Sequence, residues 1–428
     1  MSLSLRRFVM CVAVAICAVF TMTPSRSAHA VIGTADVVPA ATLLFPYFEV
    51  DLANTSGLDT VLTVQNASAT AILGHVTVWS DQGVPAADFN IYLTGYDLQS
   101  FSMRDVLNGT LPQTASAGQD PGDVISPKGP LSQDINFASC TSQLPNPAGS
   151  IPAPVGMTPA DLRKALTGVA TTGISSGMCW GRAIGDNHAR GYVTVDTVNN
   201  CTLNTPADAG YMTNDITFQN VMLGSYFLVN AAQNFMLADS AVQIEASFND
   251  PLVNTSGNYT FYGRYDGWNA SDRRESLPKN WGVQGETDTS SLLVWRDSKT
   301  SETPHACNVD PTYAPLGQEG MTFFGTDSKP SDAVQGLPFV PGSALPVASQ
   351  FVPFTAAAFG APARKLGFLF MNLNTTVVPA GSNPPADPAA SQSFVTVSRK
   401  GIGALNTAAG NSAVSLDLNG FTHYVPGH

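Results

Sequence analysis

Charge is scarce in this chain: 12% of its 428 residues are Asp, Glu, Lys or Arg, about half the share of an average globular domain. Positive charge is scarcer still, with 20 basic against 32 acidic residues and a formal net charge of −12. Such a balance repels nucleic acid and anionic membrane surfaces and favours cations. Histidine is also rare. None of the 6 falls in H-E-x-x-H or any i, i+4 pair, so no ligand set for a catalytic zinc is visible. The 6 cysteines include no C-x-x-C pair, which excludes the usual structural zinc clusters. After the first 30 residues no run of 18 apolar residues occurs, so no spanning helix is expected.

The first 30 residues read as an export signal. Arg6 and Arg7 precede an apolar run from Phe8 to Phe20, and Ala28-His29-Ala30 offers small residues for cleavage before Val31. Removing them takes away Arg6, Arg7 and Arg26 and no acid, leaving 17 basic against 32 acidic residues, a net charge of −15. The expected location is periplasmic or extracellular. Cys11 and Cys17 leave with the signal; Cys140, Cys179, Cys201 and Cys307 remain. An even number in an exported chain predicts two disulfides. Cys140–Cys179 would close a middle insertion, and Cys201–Cys307 would tie the two halves.

Short β-type segments dominate the rest. Asp59–Asn66, Ile72–Ser80, Asn90–Gly95, Asp97–Met103, Arg190–Val198 and Val221–Val229 are rich in β-branched residues and separated by turn formers. In Ile72–Ser80, His75, Thr77 and Trp79 alternate with Val76 and Val78, the mark of a strand with unlike faces. Pro46 inside the apolar run 41–50 predicts an edge strand or a strand start. Residues 108–189 read as a long irregular insertion holding one short helix, with Thr158 as cap, Pro159 in the first turn and Gly168 as stop. The expectation is an all-β protein of immunoglobulin-like β-sandwich type. Residues 31–250 form the sandwich with its insertion, and 251–428 a second β-rich region or a continuation of the first.

Catalytic motifs fail on inspection. Gly173-Ile174-Ser175-Ser176-Gly177 matches G-x-S-x-G, but no strong strand precedes it and no helix follows, as a nucleophile elbow requires. Ser276-Leu277-Pro278-Lys279 matches S-x-x-K, but Pro278 breaks the turn that would carry Lys279 under Ser276. His75 reads as a half-buried packing residue, and His188 as part of a polar turn.

One stretch stands apart. Between Tyr259 and Trp281 lie seven charged residues and six aromatics, a mixture typical of a salt-bridged knot or a recognition surface. In the first reading Arg264, Arg273 and Arg274 pair with Asp266, Asp272 and Glu275 while the tryptophans pack over a sheet. In the second, Tyr265, Asp266, Trp268, Asp272, Arg273, Arg274 and Trp281 form a ligand surface for a glycan. A third makes the region a glycosidase centre, which needs two facing carboxylates. Asp266, Asn269 and Asp272 are the calcium candidates. The function expected is non-catalytic binding or structural support, with a glycan or another envelope protein as partner. The alternative is a carbohydrate-binding or carbohydrate-active protein using residues 259–297.

Overall fold

The computed structural model describes residues 38–112, 157–233, 235–255, 260–266, 271–278, 280–286, 290–297, 303–307, 320–325, 347–353, 366–373 and 392–400, with short pairs at 406–407, 410–411, 413–414 and 423–424. Chain contacts divide the protein into Met1–Val31 and Ile32–His428, and every described residue belongs to the second unit. That unit is mostly β-strand, in several antiparallel sheets, with few helices.

The first strands are β1 (Thr42–Asp51), β2 (Leu58–Asn66), β3 (Ile72–Ser80), β4 (Pro85–Leu93) and β5 (Leu98–Ser102). Helices α1 (Met103–Leu107) and α2 (Pro159–Leu166) follow. Next come β6 (Met178–Cys179), β7 (His188–Val198), β8 (Met222–Asn230), β9 (Phe235–Ser240) and β10 (Val242–Ile244). They build a five-stranded sheet in the order β10-β1-β7-β3-β4 and a four-stranded sheet in the order β5-β2-β8-β9. The expected strand at Asn90–Gly95 starts earlier, at Pro85. Its alanines have little β preference of their own, and pairing with β3 supplies the order. Pro46 does not mark an edge strand or a strand start. Instead β1 lies between β10 and β7, and the register with β7 shifts between Phe45 and Phe48. A bulge there accommodates the missing N–H of proline, and β10 reaches only as far as Leu44.

The two sheets share one apolar core. Phe45, Val76, Val78, Val193 and Val195 of the five-stranded sheet meet Leu62, Val64, Tyr226 and Leu228 of the four-stranded one. Helix α2 closes one side with Leu162, Ala165 and Leu166. Its cap is as expected: Thr158 Oγ1 accepts from Asp161 N at 3.1 Å, and Gly168 follows at φ +69°. Gly191 permits a close crossing in β7, since a Cβ there would lie 1.9 Å from the Trp79 carbonyl oxygen.

The opposite face of the five-stranded sheet is buried too, under a second core. Leu44, Leu73, Trp79, Tyr92 and Tyr192 pack there against strands from the C-terminal half. The strands of that half are β11 (Asn280–Glu286), β12 (Ser290–Arg296), β13 (His305–Ala306), β14 (Gly320–Gly325), β15 (Ser349–Pro353), β16 (Leu366–Asn372) and β17 (Ser393–Lys400), of which β11, β12, β14, β16 and β17 contribute to the second core. Two four-stranded sheets result, one with β14-β16-β11 and residues 423–424, the other with β15-β12-β17 and residues 413–414.

The expected disulfide pairing is overturned. Strand β13 pairs with β6, placing His305 opposite Cys179, and Cys179 bonds to Cys307 with Cα atoms 5.0 Å apart. Neither Cys140–Cys179 nor Cys201–Cys307 can then form. Cys201 is also disulfide-bonded, and Cys140 lies outside the described residues. A two-residue ladder across 128 positions of sequence carries no signal in cysteine spacing.

Candidate functional site

Alternation along β3 and β7 sends one set of side chains to the apolar core and the other to the second face. On that second face Thr42 stands opposite Asp196, and Asp196 opposite His75. Asp196 is the centre of a buried network. Its Oδ2 accepts from Tyr211 Oη at 2.8 Å and from Tyr262 Oη at 2.9 Å. Its Oδ1 accepts from Thr42 Oγ1, which in turn accepts from Arg274 Nε. Arg274 Nε also lies 3.4 Å from Asp196 Oδ1, and its Nη1 lies 3.6 Å from Asp272 Oδ1. Arg274 Nη2 donates to the Thr217 carbonyl at 3.0 Å. Burial and the Asp196 charge hold both tyrosines well above their ordinary pKa, so they remain donors. Asp272 is pushed up to about 6 by burial, against the opposing pull of Arg274.

The chain reaches this geometry through the 259–281 stretch. Arg274 makes a bridge with Ala246, and Glu275 N donates to the Glu245 carbonyl at 3.0 Å. Asp272 accepts from Tyr262 N at 2.6 Å and from Arg274 N at 3.1 Å, fixing the loop around the guanidinium. The guanidinium carbon lies 5.8 Å from the centre of the Tyr262 ring. Trp281 is fully buried, donates from Nε1 to Ser393 Oγ at 2.9 Å and meets Phe394 edge-on.

The residues singled out by sequence therefore separate. Asp272, Arg274 and Trp281 are enclosed. Tyr265 and Asp266 are half-buried; the Tyr265 ring lies 6.2 Å from Trp79, and Asp266 Oδ2 accepts from Asp272 N at 2.9 Å. Arg273 points away from the network, with its guanidinium carbon 4.5 Å from the Phe248 ring centre and Nη1 bonded to Asn254. Trp268 and Asn269 lie outside the described residues. Of the calcium candidates, both Asp272 oxygens are engaged by donors. Among the described residues no three His, Cys, Asp or Glu side chains come together in a metal-binding group. Glu275 is half-buried and raised to about 7 by burial and by the charges of Glu245 and Asp250.

Other polar groups were less visible in sequence. His75 is fully buried rather than half-buried, with Nδ1 3.1 Å from Asn90 Oδ1. Asp88 is buried on the neighbouring strand with both carboxylate oxygens lacking hydrogen-bond partners, and burial raises its pKa strongly. His188 does sit beside a turn, with Asn187 at φ +58°, but it also joins a cluster. Its Nδ1 lies 2.7 Å from Glu49 Oε1, and Arg190 Nη2 lies 2.6 Å from the same oxygen. Ser175 occupies an exposed turn at φ +52°. Its carbonyl accepts from Thr171 Oγ1 at 3.0 Å, and the two-residue β6 follows where a nucleophile elbow needs a helix.

No protein-family profile, curated protein or solved structure matches the chain.

Proposed function

We propose that this is an exported, non-catalytic binding or structural protein of a bacterial-type envelope or the extracellular space. Its centre is an immunoglobulin-like β-sandwich, and its 259–297 region clamps the second core onto that centre. The enclosure of Arg274 carries the clamp reading. A guanidinium whose Nε and Nη2 bond to Thr42 and to the Thr217 carbonyl, and which lies within ion-pair distance of Asp196 and Asp272, is held within the protein. Ligand contacts in the stretch would fall to the half-buried Tyr265, Asp266 and Arg273 instead. Export is supported by the leader-like N-terminus and by the Cys179–Cys307 bond, since such bonds persist in oxidising compartments.

A second reading rests on Glu275. A half-buried carboxyl raised to about 7 beside two further carboxylates has the character of a glycosidase general acid. A panel of glycoside substrates and a glycan array, run on the wild type, Glu275→Gln and Arg274→Met, separates the two. The clamp reading expects no turnover and no glycan signal, together with a large loss of thermal stability in Arg274→Met. Turnover by the wild type that disappears in Glu275→Gln at unchanged melting temperature would replace it with the enzyme reading.

A further inference from the structure

The β3–β4 pair carries further polar groups on the same face, adjoining the Arg274 network where His75 stands opposite Asp196 and its ring lies 5.7 Å from that of Tyr211. In register, His75 stands opposite Asn90 and Thr77 opposite Asp88, so the four side chains occupy adjoining positions on one face. All four are buried. The Asn90 amide is oriented by Thr202: its Nδ2 donates to the Thr202 carbonyl at 2.8 Å, and its Oδ1 accepts from Thr202 N at 3.2 Å. The atom 3.1 Å from His75 Nδ1 is therefore an acceptor. The imidazole proton must sit on Nδ1, and Nε2 presents a bare lone pair.

That lone pair has no hydrogen-bond partner, nor do Thr77 Oγ1 and the two carboxylate oxygens of Asp88. Asp196, Asp215 and the Asn204 main chain all favour the charged form of the ring, so its surroundings are electronegative, although no partner lies within hydrogen-bond geometry of Nε2. The charged side chain that acts on Asp88 is Asp208, another carboxylate. An imidazole nitrogen and three oxygens thus share one buried face with no donor or positive charge directed at them. Burial disfavours an ionised carboxylate in such a place, and an electropositive guest removes that penalty.

We propose that His75, Thr77 and Asp88 bind a divalent transition-type cation. One imidazole nitrogen with carboxylate and hydroxyl oxygens is a mixed, borderline donor set, suited to zinc or manganese and poorly suited to calcium, which takes oxygen ligands alone. The bond from Nδ1 to Asn90 is the outer contact that fixes the ring of a metal-bound histidine. Water completes the coordination that two strong ligands leave open. The exposed Asp208 in the covering segment draws cations towards the site.

The test uses the full mature chain, stripped with a chelator and titrated with zinc or manganese chloride, with calcium chloride as the control. Metal content by mass spectrometry and melting temperature are the readouts. The expected result is about one zinc or manganese ion per chain and a higher melting temperature, with binding weakened roughly 100-fold or more in Asp88→Asn and reduced in His75→Gln. Asp88→Asn is isosteric and introduces no charge, which keeps the comparison meaningful. Wild-type protein that stays metal-free and melts unchanged at millimolar zinc and manganese would overturn the site. So would Asp88→Asn binding as tightly as the wild type. A third contrary outcome is Asp88→Asn melting higher than a wild type that binds neither ion, which would make Asp88 a buried neutral acid.

Discussion

The two faces of the five-stranded sheet are built from the same strands and are both buried, yet they are held by different physics. One face is aliphatic and aromatic and packs on the four-stranded sheet. The other carries Thr42, His75, Thr77, Asp88 and Asp196 among its aromatics. On the first, the hydrophobic effect needs only apolar area and shape. On the second, each polar group needs a partner of its own, and Arg274, Tyr211 and Tyr262 are brought from distant segments to meet Asp196. Apolar packing tolerates small losses, whereas a polar network is sensitive to the removal of a single member.

The largest expected break in this comparison is on the polar face. Arg274→Met leaves Asp196 and Asp272 without their shared cation and should cost about 3–5 kcal/mol in denaturant unfolding. The apolar counterpart, Val195→Ala, should cost less, about 2 kcal/mol for the lost methyl groups and the cavity. If the ranking reverses, the network is incidental to stability. A sharper form replaces Arg274, Asp196 and Asp272 together by apolar residues of similar volume. Near-neutral stability would mean that the triad contributes specificity rather than free energy.

Next in size is the Cys179–Cys307 bond, which closes a loop of 128 positions. Replacing both cysteines by serine should cost about 2–5 kcal/mol in thermal or denaturant unfolding. An unchanged midpoint would show that the β6–β13 ladder holds without it.

A subtler contrast comes from pH. Apolar substitutions should shift the melting curve equally at all pH values, whereas the polar face titrates. Asp272 has a folded pKa of about 6, above its ordinary value near 3.9. Its contribution is therefore full at low pH and is lost as pH rises from about 4 to 6. Asp272→Asn should remove that slope from a melting-temperature profile. At the sheet end, His188 is raised by its bond to Glu49. Its stabilisation is full below the ordinary value of about 6.5 and is lost as pH rises through the folded value. His188→Gln should flatten the profile on that side. The smallest effect is expected at the α2 cap, where Thr158→Ala should cost about 1 kcal/mol by chemical denaturation.

The 72–80 segment shows how far sequence reading reaches. Alternation of His75, Thr77 and Trp79 with Val76 and Val78 correctly marks a strand with unlike faces, but a polar face is ordinarily one turned to water. Nothing local indicates that segments far along the chain, from Tyr211 to Val397, cover it. The 259–281 stretch is likewise legible as a concentration of arginine, acid and aromatic residues, while its main acceptor, Asp196, lies outside it. In sequence Asp196 is one residue of the β-type segment Arg190–Val198 and nothing more.

By itself, the sequence determined the β-rich character, the capped helix at Thr158–Leu166 and the 259–281 stretch as a charged and aromatic concentration. Each of these depends on neighbours within a few positions or on composition. Tertiary structure alone decided the Cys179–Cys307 pairing, the burial of both sheet faces and the enclosure of Arg274. Those depend on which distant segments meet, and the free energy of such meetings is shared across the whole core rather than written in any local pattern.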